Sequence, residues 1–148
     1  MIEHLGQPCR AKNILSGRLV TDSVSGRECL VLANSSEAAN LELFFIDFEN
    51  NTGKVYRAPA GQGAWVLEEV RGNRLVVGTY YDGKFLVFDL VKKEFVKTVQ
   101  VPDEQYVFCG AKGSDGRYYG GTYPHAKLAA LNLDTYEVET WDAQAPKN

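Results

Sequence analysis

The 148-residue chain is short of cysteine, histidine and positive charge, and each shortage excludes something. Its three cysteines, Cys9, Cys29 and Cys109, are odd in number and widely spaced, with no C-x-x-C pair. That fits neither a disulfide framework nor a zinc site, so buried or partly buried free thiols are expected. Lys and Arg number 16 against 19 Asp and Glu, a net charge of −3. No basic stripe is left for phosphates, which disfavours nucleic acid or an anionic membrane as partner. The two histidines, His4 and His125, stand at opposite ends of the chain, so spacing reveals no nucleophile–base–orienter set. Calcium-type D-x-D-x-D spacing is missing, and Gly61-Gln62-Gly63 opens no helix as a phosphate loop would. No cofactor and no metal are expected. The first residues carry neither a basic segment nor an apolar one of the secretory kind. The longest apolar run, Leu41–Phe48, is broken by Glu42 and Asp47 and falls far short of the ~20 residues a membrane helix needs. A reducing, cytoplasmic setting is expected, which an export signal outside this sequence would reverse.

Helical periodicity is also almost absent. What the chain has is apolar residues, 45% of the total, with 8 Tyr, 7 Phe and 2 Trp, in short runs of period-two character. The runs include Cys29–Ala33, Leu41–Phe48, Leu75–Tyr81, Phe85–Leu90, Tyr118–Tyr123 and Leu128–Leu133. Between them lie Ser25-Gly26, Asn51-Thr52-Gly53, Gly72-Asn73, Asp82-Gly83, Pro102-Asp103 and Asp115-Gly116. Such turns favour positive φ and hairpins, so the pattern predicts an antiparallel all-β fold.

The runs repeat. Gly78-Thr79-Tyr80 returns as Gly121-Thr122-Tyr123, and Leu86-Val87-Phe88-Asp89-Leu90 returns as Ala129-Ala130-Leu131-Asn132-Leu133. Phe44-Phe45-Ile46-Asp47-Phe48 is an earlier copy of the latter, and Leu30-Val31-Leu32-Ala33 an earlier copy of Leu75–Gly78. A period of roughly 42–43 residues with four strands is that of a β-propeller blade. It predicts three four-stranded antiparallel blades over 14–60, 64–101 and 105–143, in one propeller-type domain spanning 1–148. In the second blade the strands are expected at Ala64–Val70, Arg74–Tyr80, Phe85–Leu90 and Glu94–Val101.

Asp115-Gly116-Arg117-Tyr118-Tyr119-Gly120-Gly121-Thr122-Tyr123-Pro124, followed by Leu128 to Thr135, resembles blades of bacterial β-propellers of the streptogramin-lyase-like, NHL-like and sensor-regulator kinds. Asn132 stands where such blades carry Asp, and Tyr136 and Lys92-Lys93 replace their Gly turn. The resemblance implies a ligand-binding channel mouth lined by Ser35–Asn40, Tyr81-Asp82-Gly83 and Pro124-His125-Ala126. Gly61-Gln62-Gly63 and Pro102–Gln105 complete it. Glu37, Tyr80, Tyr81, Asp82, Tyr123 and His125 are the candidate site, aromatic walls with a few polar groups. His125 is the candidate base, with Asp82 or Glu37 as its carboxylate. Trp65 is expected to pack between blades, and Trp141 to lie partly exposed near an edge.

Three functions fit. One is a non-catalytic module binding a small molecule, a glycan or a protein partner at the mouth. The second is a lyase or hydrolase acting on a carbohydrate or cyclic peptide with His125 as base. In the third the chain is an N-terminal fragment of a longer propeller. Propellers close with four or more blades, so three leave two open faces. A homodimer closing a six-bladed ring is the expected remedy.

Overall fold

A computed structural model of the chain describes residues 12–36 and 39–143. They form twelve strands and no helix: β1 (Lys12–Thr21), β2 (Glu28–Ser36), β3 (Glu42–Asp47), β4 (Thr52–Arg57), β5 (Ala64–Val70), β6 (Arg74–Thr79), β7 (Lys84–Asp89), β8 (Glu94–Gln100), β9 (Tyr106–Lys112), β10 (Arg117–Tyr123), β11 (Lys127–Asn132) and β12 (Val138–Asp142). Consecutive strands pair antiparallel into three separate four-stranded sheets, β1–β4, β5–β8 and β9–β12, and no sheet closes on itself. The strands of the middle sheet start and stop within a residue of their predicted positions.

The turns between third and fourth strands show why unlike sequences fold alike. Asp89 Oδ1 accepts the backbone N–H groups of Val91 and Lys92, each at 2.8 Å. Asn132 Oδ1 accepts those of Asp134 at 2.8 Å and Thr135 at 3.1 Å. An amide oxygen thus does the work of a carboxylate, and Asn at the usual Asp position changes nothing here. Asn51, Lys93 and Tyr136 share the left-handed conformation, with φ of 50°, 58° and 61°. Lys93 and Tyr136 adopt without glycine a backbone that L-residues seldom take.

Period-two alternation buries both faces of the middle sheet. Leu67, Leu75, Val77, Leu86 and Phe88 meet Val31, Leu43, Phe45 and Tyr56 of the first sheet. Val66, Val76, Phe85 and Val87 meet Tyr118, Ala129, Leu131 and Val107 of the third. Arg74 reinforces the second junction by donating to the Leu133 carbonyl and the Tyr136 hydroxyl. The outer sheets each keep one uncovered face. Leu19, Leu30, Leu32, Phe44, Ile46 and Val55 lie together on that of the first sheet, half-buried or exposed. Leu128 and Trp141 pair across that of the third, beside Gly121, Ala130 and Tyr119. Cys29 is buried, and burial raises its thiol pKa. Cys109, expected to be buried or partly buried, is exposed, because its strand β9 edges the third sheet. Cys9 and His4 lie outside the described residues.

Asp22, in the β1–β2 turn, accepts Lys93 Nζ of the middle sheet at 2.8 Å. That hydrogen bond, then those from Ser25 and Val24, holds its carboxyl well below the usual range. A depressed carboxyl pKa stabilises the fold above the unfolded value and ceases to do so as pH falls through the folded one. Denaturant midpoints should therefore drop as pH falls below about 4. Asp22→Asn should flatten part of that slope and cost about 0.5–1 kcal/mol at neutral pH, solvent screening included. An unchanged pH profile in the variant would count against the inter-sheet pair.

Candidate functional site

The predicted mouth loops meet at one end of the sheets. Ser36 N–H donates to Gln62 O at 2.8 Å, Leu41 N–H to Gly61 O at 2.7 Å and Tyr80 N–H to Gly63 O at 3.2 Å. Gly83 N–H donates to Gln105 O, and Gln105 N–H to Tyr123 O, both at 2.8 Å. These bonds chain the turns of all three sheets. Gly83 is required: at φ 55° a Cβ would stand 2.0 Å from the Glu104 carbonyl oxygen.

The three strands next to this end, β1, β5 and β9, are each broken by a bulge near their start. The ladders skip Leu15, Trp65 and Phe108. A bulged residue has no cross-strand partner and its side chain is re-aimed. All three are large, apolar and exposed, at 38%, 43% and 46%. Trp65, expected between blades, instead joins a surface ring cluster. Its centroid lies 6.2 Å from Tyr80 and 5.8 Å from Phe108. Tyr106 stacks on Phe108 at 5.2 Å and contacts Tyr81 at 5.4 Å and Tyr123 at 5.5 Å. Tyr80 meets Tyr81 edge-on at 5.0 Å. Tyr81 holds φ at 68°, a left-handed strain for a bulky residue, of the kind that gathers at functional sites. Burial, then the neighbouring Tyr81, pushes the Tyr106 phenol pKa up.

Trp65, Tyr80, Tyr81, Tyr106 and Leu15 line a cavity of about 260 Å³ that reaches Asn13, Ser35 and Ser36. Ser35 is 2% exposed, and its hydroxyl has no hydrogen-bond partner among the described residues. Buried polar groups are nearly always paired, so an orphan in a cavity wall is informative. The Ser35 and Tyr80 hydroxyls pack against the Gly63 backbone and leave no room for a side chain there. A Cβ there would stand 2.1 Å from the Ser35 hydroxyl oxygen and 2.4 Å from that of Tyr80.

The predicted residues divide. Tyr80, Tyr81 and Tyr123 come together in the ring cluster. Asp82 does not face the cavity with them. Its carboxylate accepts the Gly61 N–H at 2.9 Å, the Thr79 hydroxyl and Lys84 Nζ, locking the turn. His125 sits on the neighbouring turn, and among the described residues the carboxylate beside it is Glu104 and not Asp82. Glu104 Oε2 accepts the His125 backbone N–H at 3.2 Å, and Oε1 lies 3.1 Å from Nδ1. Its side chain is wholly buried, while that of His125 is 58% exposed. Glu37 lies outside the described residues. Glu104 falls in the predicted mouth segment Pro102–Gln105, but nothing in that polar sequence marks its side chain as buried. Only the packing of the β10–β11 turn over it removes its carboxylate from water.

A second cavity, about 330 Å³, opens at the opposite end, lined by Asp22, Lys93, Arg27 and Asp47. Four of its charges pair, Arg27 with Asp47 at 3.0 Å and Lys93 with Asp22, and Lys54 also lines it. Among the described residues no cluster of three His, Cys, Asp or Glu side chains has the arrangement of a metal site. No known family profile matches the chain, and no curated protein sequence matches it.

Proposed function

We propose that the three sheets are consecutive blades of a β-propeller, and that two copies of the chain close a six-bladed ring. That ring acts as a non-catalytic binding module whose ligand enters at the aromatic mouth, and it works in the cytoplasm, where its thiols stay reduced.

One observation carries the ring. The uncovered Leu30 and Leu32 are the repeat counterparts of Leu75 and Val77, and Phe44 and Ile46 those of Leu86 and Phe88. All four counterparts are fully buried against a neighbouring sheet. On the uncovered face of the third sheet, Tyr119, Leu128 and Ala130 likewise correspond to Val76, Phe85 and Val87, also fully buried. The first sheet is bulky where the third offers Gly121 and Ala130, so the two faces suit each other in size. This repeats the internal junction, where Gly120 admits Phe85. Apolar sheet faces of this extent are seldom left in water.

Light scattering should give twice the 16.4 kDa chain mass. Phe44→Glu, on a face no sheet of its own chain covers, should halve that mass while the far-ultraviolet spectrum stays that of a folded β protein. A folded wild-type monomer overturns the two-copy ring and favours a fragment of a longer propeller.

A second reading has one observation in its favour. The buried Glu104 carboxylate holds His125 by Nδ1, the arrangement that orients an imidazole as a general base. A lyase or hydrolase acting on a carbohydrate or cyclic peptide would use the exposed side of that ring.

A further inference from the structure

The chain closes two sheet-to-sheet junctions of its own, and both use one register. On β1, β5 and β9 the residues that follow the bulge are Ser16, Val66 and Cys109, paired across their ladders with Ala33, Gly78 and Gly121. The residues that precede it are Ile14, Ala64 and Val107. At the first junction Ser16 Oγ donates to the Ala64 carbonyl at 3.1 Å. At the second, Val107 lies on Gly78 beside Val66. A Cβ on that glycine would stand 2.8 Å from Val107 Cγ1 and 2.9 Å from Val66 Cβ. Glycine at such a place lets a second sheet approach closely. So the residue after one bulge meets the residue before the next. The two ends of this series, Cys109 and Ile14, find no such counterpart within the chain. Cys109 is exposed, and Ile14 is 53% exposed. Among the described residues, a Cβ on Gly121 would meet only Cys109 Sγ, at 2.9 Å. The hollow that Val107 fills at the second junction stands open at Gly121.

We infer that Ile14 of one copy fills the hollow over Gly121 of another, against its Cys109 side chain, at both seams of the six-bladed ring. The occupant of each uncovered face is thus a second copy of this chain, docked first sheet to third. Its seam continues the series that the two internal junctions establish. Volumes agree with that placement. Ile14 exceeds Val107 by one methylene, and Cys109 is smaller than Val66, so the exchange nearly conserves the packed volume. Pairing two first sheets would instead set Leu30, Leu32 and Phe44 against the same bulky side chains, with no Gly121 to admit them. The contact is heterologous, and the two-fold axis of the ring produces it twice. This inference rests on the ring proposed above and gives its seam a register.

The test is a cross-link. Its parent is the full chain carrying Cys9→Ser, which keeps buried Cys29 and exposed Cys109. The Cβ atoms of Val66 and Val107 each stand 2.9 Å from one point, so their counterparts come near the ~3.5–4.5 Å a disulfide requires. Ile14→Cys treated with diamide should run as a covalent dimer on a non-reducing gel, the diamide taking up the two electrons and two protons the thiols release. Adding Cys109→Ser should abolish that band while light scattering still gives two copies. Ile14→Ala should raise the dimer dissociation constant at least about tenfold, since each ring loses the contact twice. An Ile14→Cys dimer that does not cross-link, or a dissociation constant unchanged in Ile14→Ala, overturns this seam and leaves the two-copy assembly standing. A cross-link that persists without Cys109 means first sheet against first sheet, and also overturns it. A folded parent monomer overturns ring and seam together.

Discussion

Phe88→Ala should lower the free energy of unfolding by about 3–5 kcal/mol. Phe88 is fully buried, and its ring meets Phe45 at 5.3 Å, Tyr56 at 5.2 Å and Phe95 at 5.1 Å. Two of those partners belong to the first sheet, so truncation opens a hole in the junction rather than inside one sheet. Interiors this dense collapse only partly around a missing ring, which adds a cavity cost to the lost transfer energy. Urea titration at fixed protein concentration should show a lower midpoint with an unchanged slope. Phe48→Ala is the control: that ring is 62% exposed, and its loss should change stability by less than about 0.5 kcal/mol. A loss below about 1 kcal/mol for Phe88→Ala would mean that the first two sheets do not depend on this contact.

Glu104→Ala should cost about 1.5–3 kcal/mol, a large effect for a residue in a connecting loop. The carboxylate accepts the His125 backbone N–H at 3.2 Å, faces its Nδ1 and lies 4.0 Å from Lys127 Nζ. Removing it strands the His125 backbone N–H, while Nδ1 keeps the Asp103 carbonyl at 3.0 Å and Lys127 Nζ that of Pro102 at 3.2 Å. Raising salt should barely alter the difference between variant and parent, since buried pairs are screened little. Should Glu104→Ala prove as stable as the parent, the carboxylate would be acting like any surface acid. His125 would then lose its support as an oriented base.

The strands and their order were readable because a period-two run between turn residues admits few other folds. Gly78-Thr79-Tyr80 and Gly121-Thr122-Tyr123 end the second strand of their sheets as the repeat required. The turns were legible even where residues departed from pattern, Asn132 replacing Asp with the same hydrogen bonds. The site was half legible. Tyr80, Tyr81 and Tyr123 stood out as aromatics flanking loops, and they do meet. Trp65 and Phe108 were missed because alternation says which residues share a face and not where a ladder skips one. Ser35 and Glu104 fell within the predicted mouth segments, but their burial escaped for a related reason. Burial of a polar side chain is decided by what another segment lays over it, which a single strand or loop does not encode.

The bulges at Leu15, Trp65 and Phe108 also bear on how such a chain changes over generations. A side chain locked in a ladder is constrained by its cross-strand partner and by the core behind it, so most replacements there are removed by selection for stability. A bulged side chain answers to neither. Substitution at these three positions alters what the mouth offers while every strand keeps its register. On the proposed reading as a binding module, the fold separates the residues that hold it together from those that would diversify its ligand, so specificity could drift while the sheets are inherited intact.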